Sequence, residues 1–201
     1  MVLVTKKAPD FDAAAVLNDG SIINNFNFTE YSKNNITVIF FWPLDFTFVC
    51  PSEIISINNH YNDFSRRNVK ILGISCDSQF THNAWRNTSV KNGGIGKIKF
   101  IMISDLKKEI QKKYGIEYSE LGIALRASFL IDKKGIIRHQ LVNDLPFGRN
   151  VNEMIRMIDA LNHYEKYGEV CPAQWEKGKK SIIPTSIGIA DYLTNNINEL
   201  N

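Results

Sequence analysis

Residues 41–53 combine the residue types that cysteine chemistry needs. Residues 37–42 are typical of a buried β-strand, which Pro43 ends, and Cys50 and Pro51 open a helical pattern with proline at its first position. We therefore expect Cys50 at or beside the N-cap of a helix. There, free backbone N–H groups and the positive end of the helix dipole favour a thiolate.

Two polar side chains flank this cysteine. Thr47, three residues earlier, can bring a hydroxyl group toward the sulfur, and Glu53 lies on the first helical turn. A carboxylate suits the helix dipole there, but it opposes a thiolate unless a cation pairs with it. The residues alone leave two interpretations of Cys50 open, a reactive nucleophile or a small buried hydrophobe.

The rest of the chain alternates strand and helix patterns, which predicts an α/β or α+β fold around one mixed sheet. Asp132-Lys-Lys-Gly135 is typical of a hairpin turn between two strands. Asp105 is expected to cap a helix that Gly115 ends. The further predicted strands are residues 69–75, 99–104, 127–131 and 136–142, and the predicted helices are residues 51–64, 105–114 and 150–164.

Composition excludes several classes of protein. The chain has 201 residues, of which 44% are hydrophobic and 22% charged, as in ordinary globular domains. A net charge of +3 is too small to make nucleic acid or an anionic membrane the expected partner. No apolar run approaches the ~20 residues that span a membrane, and the N-terminus has too short an apolar stretch for a secretory signal.

The cysteines and histidines exclude further classes. Three cysteines without a CxxC motif do not make a disulfide scaffold, and the four scattered histidines do not predict a metal site. We therefore expect a reducing compartment. The cytoplasm is the first expectation, and an organelle, after cleavage of a targeting peptide, is the alternative.

The composition changes after Tyr164. Glycine and proline residues then punctuate a segment that contains Cys171 and ends in a polar run at residues 194–199. We predict a main domain at residues 1–164 and a C-terminal arm at residues 165–201. Such an arm buries little surface by itself, so it is either frayed or packed on something else, such as another subunit.

Several motifs together resemble one family. Pro43-x-x-x-Thr47-x-x-Cys50 resembles the active-site signature of the peroxiredoxins, and Phe-Thr-Phe-Val-Cys-Pro-Ser-Glu resembles that of the typical 2-Cys branch. Gly168-Glu-Val-Cys171-Pro-Ala-Gln-Trp175 is similar to the resolving-cysteine motif of that branch. The segments Arg126-Ala-Ser-Phe-Leu-Ile-Asp132 and Asp144-Leu-Pro-Phe-Gly-Arg149 resemble family segments that carry arginines. The resemblance covers most of the chain and implies a thioredoxin-like fold, with a central mixed sheet flanked by helices and a C-terminal arm.

The resemblance implies a role for each of these residues in a thiol-dependent peroxidase. Cys50 would attack the peroxide, Thr47 and Arg126 would donate to the reacting atoms, and Pro43 would shield the sulfenic acid. Glu53 and Arg149 would hold the arginine network in place. From the residues alone, Arg126 also fits a strand-end salt bridge, and Pro43 fits simple strand termination.

The resemblance also implies partners. Cys171 of the partner subunit would resolve the Cys50 sulfenic acid as an intersubunit disulfide, in a homodimer that assembles further to a decamer. Thioredoxin or a flavin-linked disulfide reductase would then reduce the disulfide. Hydrogen peroxide and organic hydroperoxides would be the substrates, and the enzyme itself would need no metal, haem or flavin.

Peroxide reduction places a demand on the site beyond the thiolate. A cysteine of ordinary pKa, about 8.5, is only about 3% thiolate at pH 7. Lowering a thiol pKa also lowers its nucleophilicity, so the net benefit is only a few fold. Donors around the breaking O–O bond must therefore contribute more.

Two other functions remain open at this point. An oligomeric holdase or peroxide-sensing redox relay is the main alternative, whereas the absence of CxxC disfavours a thioredoxin-type disulfide oxidoreductase. Cys76 is expected to be structural, Trp85 to pack in the core, and His82 to lie at the surface or in packing without acting as a base.

Overall fold

The structure is a computed structural model that describes residues 1–197. It divides into two compact units, residues 1–151 and the residues from Asn152 onward. The strands of the described chain are β1 Asp12–Val16, β2 Ile22–Asn27, β3 Ile36–Phe41, β4 Val69–Ser75, β5 Ile101–Ser104, β6 Glu117–Tyr118, β7 Ile123–Ala124, β8 Arg126–Ile131 and β9 Ile137–Asn143. Its α-helices are α1 Phe28–Ser32, α2 Cys50–Asn59, α3 Tyr61–Ser65, α4 Gln79–Asn87, α5 Glu109–Lys113, α6 Val151–Tyr167 and α7 Ser186–Asn196.

A seven-stranded mixed sheet organises the first unit, in the order β2-β1-β5-β4-β3-β8-β9. The central strands β3, β4 and β5 run parallel, and β8 pairs antiparallel with β3. Every residue of β3 is buried, as expected for an uninterrupted apolar strand at the centre of a sheet. The predicted mixed sheet is therefore present.

The direction of the strands explains how distant residues meet. Parallel β3, β4 and β5 all end at one edge of the sheet, and the loop that leads to Cys50 leaves β3 there. Because β8 runs the opposite way, its first residue lies at that same edge. Phe40 pairs with Ser128, so Arg126 lies two residues further toward the edge, beside the end of β3.

A continuous apolar core lies against this sheet. It contains Phe41, Tyr114 and Phe129, whose rings contact one another with centroids 5.0 to 6.0 Å apart. Helix α3 packs against β4, and α4 packs against β1 and β5. The core thus fixes the strands whose ends carry the polar residues.

Most predicted elements are confirmed, with shifted ends. Of the predicted helices, residues 51–64 form α2 and α3 instead of one helix, because His60 leaves helical geometry at φ −90° and ψ 7°. The hairpin turn is present, with Gly135 at φ +79°. The hairpin of β1 and β2 was not predicted from the sequence, since its alanines and asparagines have low strand propensity.

The helix expected from Asp105 is shorter than predicted. Lys108, with a left-handed φ of +60°, is the residue at the N-cap of α5. The carboxylate of Asp105 nevertheless accepts hydrogen bonds from the backbone N–H groups of Ile110 and Gln111, at 3.0 and 2.8 Å. Asp105 therefore caps the helix from a distance along the chain, across an intervening turn.

The second unit contains most of α6 and the segment that follows it. Gly168, at φ +69°, ends α6, and Val170 and Ile182 then form an antiparallel bridge with two hydrogen bonds. Thr185 caps α7 through its side chain. The segment after α6 thus forms a bridge and a helix, and the end of the predicted polar run lies outside the described residues. Within residues 1–197, no helix has the length and apolar character needed to cross a membrane.

Candidate active site

Cys50 is the first residue of α2 and is fully buried. Pro51 therefore occupies the second helical position, not the first as predicted, and Val49 is the N-cap. Among the described residues, no side chain caps this helix end. The sulfur also has direct contacts with side chains from the preceding loop and from β8.

The hydroxyl of Thr47 is one such group. Its Oγ1 lies 3.0 Å from the sulfur of Cys50 and 2.8 Å from the carbonyl oxygen of Leu44. A hydroxyl has one proton, and a carbonyl only accepts. If the Thr47 hydroxyl donates to the carbonyl oxygen of Leu44, its oxygen can accept a hydrogen bond from the Cys50 thiol. If Cys50 is a thiolate, the Thr47 hydroxyl can instead donate to the sulfur. Thr47 thus fits both protonation states of Cys50.

Arg126 is the second group at the sulfur. Its Nη1 donates to Cys50 Sγ at 3.3 Å and to Glu53 Oε2 at 2.9 Å, and its Nε donates to the carbonyl oxygen of Leu145 at 2.6 Å. These contacts fix both ends of the guanidinium group. Arg126 therefore forms a salt bridge with Glu53 and also contacts the sulfur of Cys50.

Glu53 accepts from two arginines. Arg149 donates to it through its backbone N–H at 2.9 Å, through Nε at 2.7 Å and through Nη2 at 3.0 Å. Burial raises the pKa of Glu53, but the hydrogen bonds and positive charge of Arg149, with a further contribution from Arg126, outweigh burial and hold the pKa below its ordinary value. From the sequence, a cation is expected beside this carboxylate, and the structure provides two, Arg126 and Arg149.

The charges of this cluster are not balanced without the sulfur. The side chains of Arg126, Arg149 and Glu53 are at most 5% exposed, and together they carry one net positive charge. Burying an unpaired charge is costly. A thiolate at Cys50 would neutralise the cluster, and so would negative charge that develops on an oxygen bound beside the sulfur.

A second buried network, which the sequence did not predict, holds the loop before Cys50. Asp45 accepts from Trp42 Nε1 at 2.8 Å and lies 2.7 Å from His82 Nδ1. The other ring nitrogen of His82 lies 3.1 Å from the carbonyl oxygen of Ile103, which only accepts, so that nitrogen carries a proton. One further proton must therefore lie between His82 and Asp45, whose pKa burial raises.

Of the two placements expected for His82, at the surface or in packing, the structure shows packing. Its side chain is fully buried because α4 packs against β5, and its ring nitrogens have one partner on β5, Ile103, and one in the loop after β3, Asp45. Trp85, also on α4, is fully buried as predicted, and its ring lies 5.7 Å from that of Phe46. Nothing in the sequence marks Asp45 and His82 as a pair, since tertiary packing alone brings them together.

Pro43 and Cys76 lie beside each other at the same sheet edge. Pro43 is buried, and its carbonyl oxygen lies 3.7 Å from the sulfur of Cys76. Burial raises the pKa of Cys76 to about 11, with a further contribution from Asp77. The geometry agrees with the expected structural role of this thiol.

Cys171 belongs to the second unit and is partly exposed. Its sulfur lies 3.7 Å from the carbonyl oxygen of Ala160 on α6. The sulfurs of Cys50, Cys76 and Cys171 are all free thiols in this structure. No cluster of three or more potential metal ligands occurs among residues 1–197.

Comparison with known proteins places this geometry in a family. The model of the AhpC/TSA family matches residues 4–140, and the model of the C-terminal domain of 1-Cys peroxiredoxin matches residues 160–195. The chain belongs to the AhpC/TSA family. The resemblance to the peroxiredoxins, the thioredoxin-like fold and the class of enzyme, a thiol-dependent peroxidase, are thereby confirmed.

Individual relatives agree with this assignment. The chain is 63% identical, over 96% of its length and 98% of the relative, to an alkyl hydroperoxide reductase C of Buchnera aphidicola subsp. Schizaphis graminum. It is 62% identical, over 96% of its length and 97% of the relative, to the protein of the same name in Buchnera aphidicola subsp. Baizongia pistaciae. The reduced 2-Cys peroxiredoxin of Plasmodium vivax superimposes with a TM-score of 0.93 at 47% identity, over 96% of this chain and all of that one.

Replacing Thr47 by valine should slow the reaction of Cys50 with hydrogen peroxide. The hydroxyl is lost while the shape is kept, and removing one such donor costs about 100-fold to 1000-fold in rate. Stopped-flow measurement of the second-order rate constant checks this. Thr47→Ser, which keeps the hydroxyl, is the control and should stay close to the wild type. A valine variant as fast as the serine variant would contradict the role.

Glu53→Gln should destabilise the fold by about 3–5 kcal/mol at neutral pH, because it leaves two buried guanidinium groups without their carboxylate. The pKa of Glu53 is lower in the folded than in the unfolded chain, so its stabilisation is complete above the ordinary value of 4.5 and is lost as the pH falls through the folded value. Urea unfolding should show the difference from wild type shrinking below pH 4.5. The exposed Glu165→Gln is the control, and an effect of equal size there, or one independent of pH, would contradict the prediction.

Cys76 should behave as an inert thiol. In a variant that lacks the other two cysteines, iodoacetamide should label Cys76 slowly in the folded protein at pH 7 and rapidly after unfolding, because the thiol is buried and its pKa lies near 11. Cys76→Ala should leave the peroxidase rate unchanged. Rapid labelling of the folded protein would show that this thiol is reactive.

Proposed function

We propose that this chain reduces hydrogen peroxide and small organic hydroperoxides with Cys50 as the attacking cysteine. One observation carries the proposal: the sulfur of Cys50 lies within hydrogen-bond distance of both Thr47 and Arg126, in a buried cluster that lacks one negative charge. The family of the chain supports a peroxidase and does not favour the holdase or relay alternative.

The first step follows from these contacts. The thiolate of Cys50 attacks one peroxide oxygen, an S–O bond forms, and the O–O bond breaks. The leaving oxygen carries the electron pair away as hydroxide or alkoxide and takes up a proton, giving water or an alcohol, while Cys50 becomes a sulfenic acid. Thr47 and Arg126 stabilise the charge that moves from sulfur to oxygen. Glu53 and Arg149 act through Arg126.

Pro43 has a supporting role in this proposal. It lies buried at the end of the central strand, next to the loop that carries Thr47. We infer that it shields the sulfenic acid from water, in addition to ending the strand.

The second step needs another thiol. Cys171 attacks the sulfenic sulfur of Cys50, and we assign it to the partner subunit of a homodimer, with residues 165–201 as the arm that carries it. Assembly of the dimer to a decamer, reduction by thioredoxin or a flavin-linked disulfide reductase, and a cytoplasmic location complete the proposal. The similarity to 2-Cys peroxiredoxins supports a second reacting cysteine, and the similarity to alkyl hydroperoxide reductase C proteins of bacteria supports the cytoplasm.

Disulfide formation requires the site to open. Cys50 is fully buried and held by two donors, so the first turn of α2 must unwind before another sulfur reaches it. Two features lower the cost of opening. Pro51 supplies no backbone donor to that turn, and Phe46 holds a left-handed φ of +54°, which costs about 1–2 kcal/mol that is released when the loop relaxes.

Non-reducing gel electrophoresis after one equivalent of hydrogen peroxide tests both cysteine roles. The wild type and Cys76→Ser should give a dimer band that depends on peroxide, whereas Cys50→Ser and Cys171→Ser should give none. Peroxide consumption by Cys50 without a dimer band in the wild type would refute intersubunit resolution. It would leave a one-cysteine mechanism or an intrachain disulfide.

A further inference from the structure

One face of α6 holds the segment that carries Cys171. Arg156, Ala160 and His163 follow one another at helical spacings of four and three residues, so they share this face. Cys171 contacts the carbonyl oxygen of Ala160, and the ring of His163 lies 5.0 Å from that of the buried Trp175. The segment is therefore fixed to α6 at the cysteine and four residues after it.

Arg156 makes the charged contact of this face. Its Nη1 donates to the carbonyl oxygen of Trp175 at 2.9 Å, and its other nitrogens donate to the carboxylate of Glu153 at 2.6 and 2.8 Å. The guanidinium group is thus held in one orientation from α6 and from the segment that follows Cys171. Trp175 in turn donates its backbone N–H to the carbonyl oxygen of Pro172, which closes the turn beside Cys171.

We propose that Arg156 is a positioning residue for the resolving step, in which it holds the turn at Cys171 and places a positive charge where that sulfur must become a thiolate. The proposal depends on the function proposed for Cys171. It assigns a role to an arginine outside the cluster around Cys50.

The charges around Cys171 support this role. Burial raises the pKa of the Cys171 thiol, the charge of Arg156 lowers it, and the charge of Glu169 raises it, with a net pKa above the ordinary value. Glu169 also accepts from Ser181 and lies 3.2 Å from His163 Nε2. Glu153 and Glu176 are the other carboxylates that interact with Arg156. Arg156 is thus the cation that opposes both burial and Glu169.

The chemistry of resolution depends on this balance. The thiolate of Cys171 attacks the sulfenic sulfur, the S–S bond forms, and the S–O bond breaks. Hydroxide leaves and takes up a proton to give water. Because only the thiolate attacks, each unit by which the thiol pKa rises slows the step at neutral pH about threefold, after the gain in nucleophilicity is counted.

The test measures disulfide formation separately from peroxide attack. Reduced protein is oxidised in a single turnover, and the appearance of the disulfide is followed by quenching and non-reducing gels between pH 5.5 and 9. Arg156→Met should slow disulfide formation about threefold to tenfold at pH 7 and move the pH profile to higher pH. Arg156→Lys keeps the charge and should show a smaller shift of the profile. Arg66→Met removes an exposed arginine of the other unit and should change neither the rate of disulfide formation at pH 7 nor its pH profile.

Glu169→Gln gives a prediction of opposite sign, because it removes the carboxylate but keeps an oxygen that can accept from Ser181. Disulfide formation should become faster at pH 7, and the pH profile should move to lower pH. If Arg156→Met does not fold, Glu169→Gln still tests whether charge near Cys171 sets the pH profile of disulfide formation. An unshifted pH profile in both Arg156→Met and Glu169→Gln would overturn the proposal.

Two controls separate this inference from the proposed function. The rate of peroxide attack should be the same in Arg156→Met as in the wild type, so a change confined to resolution supports the assignment. If Cys171→Ser still forms the disulfide dimer, the proposed role of Cys171 fails. If Cys171→Ser forms none and the pH profiles do not move, only the role of Arg156 fails.

Discussion

The guanidinium group of Arg126 lies between the sulfur of Cys50 and the carboxylate of Glu53, and the candidate site depends on that position. An arginine free to move would pair with the carboxylate alone, since opposite charges attract more strongly than a charge and a thiol. Here Arg149 donates to both oxygens of the carboxylate, Arg126 Nη1 shares one of them, and the carbonyl oxygen of Leu145 holds the Nε side of Arg126. One donor of Arg126 is therefore directed at the sulfur and at whatever oxygen approaches it.

The topology of the sheet makes this arrangement possible. Strands β3 and β8 are neighbours that run in opposite directions, so the residue after one strand and the first residue of the other meet at one edge, although 76 positions separate Cys50 from Arg126. The packing that positions the sulfur of Cys50 at this edge also buries it. Under the proposed function, disulfide formation with a second thiol therefore requires the first turn of α2 to open, and the site would alternate between a closed form that reacts with peroxide and an open form that reacts with Cys171 of the partner subunit.

Much of this could be predicted from the sequence. The spacing of Thr47, Cys50 and Glu53 around a strand end and a helix start is local, and so a pattern of a dozen residues indicates it. The pairing of Asp45 with His82 could not be predicted, because it depends on how α4 packs against the sheet. The break at His60 and the left-handed Lys108 also escaped prediction, since neither residue type signals such a backbone geometry.

Comparison of two reactions of Cys50 tests the central claim most directly, namely that Arg126 acts on the breaking O–O bond and does more than make the thiolate available. The rate constants of Cys50 with hydrogen peroxide and with iodoacetamide are measured in the wild type and in Arg126→Met, both lacking Cys76 and Cys171. The account predicts that the substitution lowers the peroxide rate about 100-fold or more and the alkylation rate only a few fold. Equal losses in both reactions would contradict it.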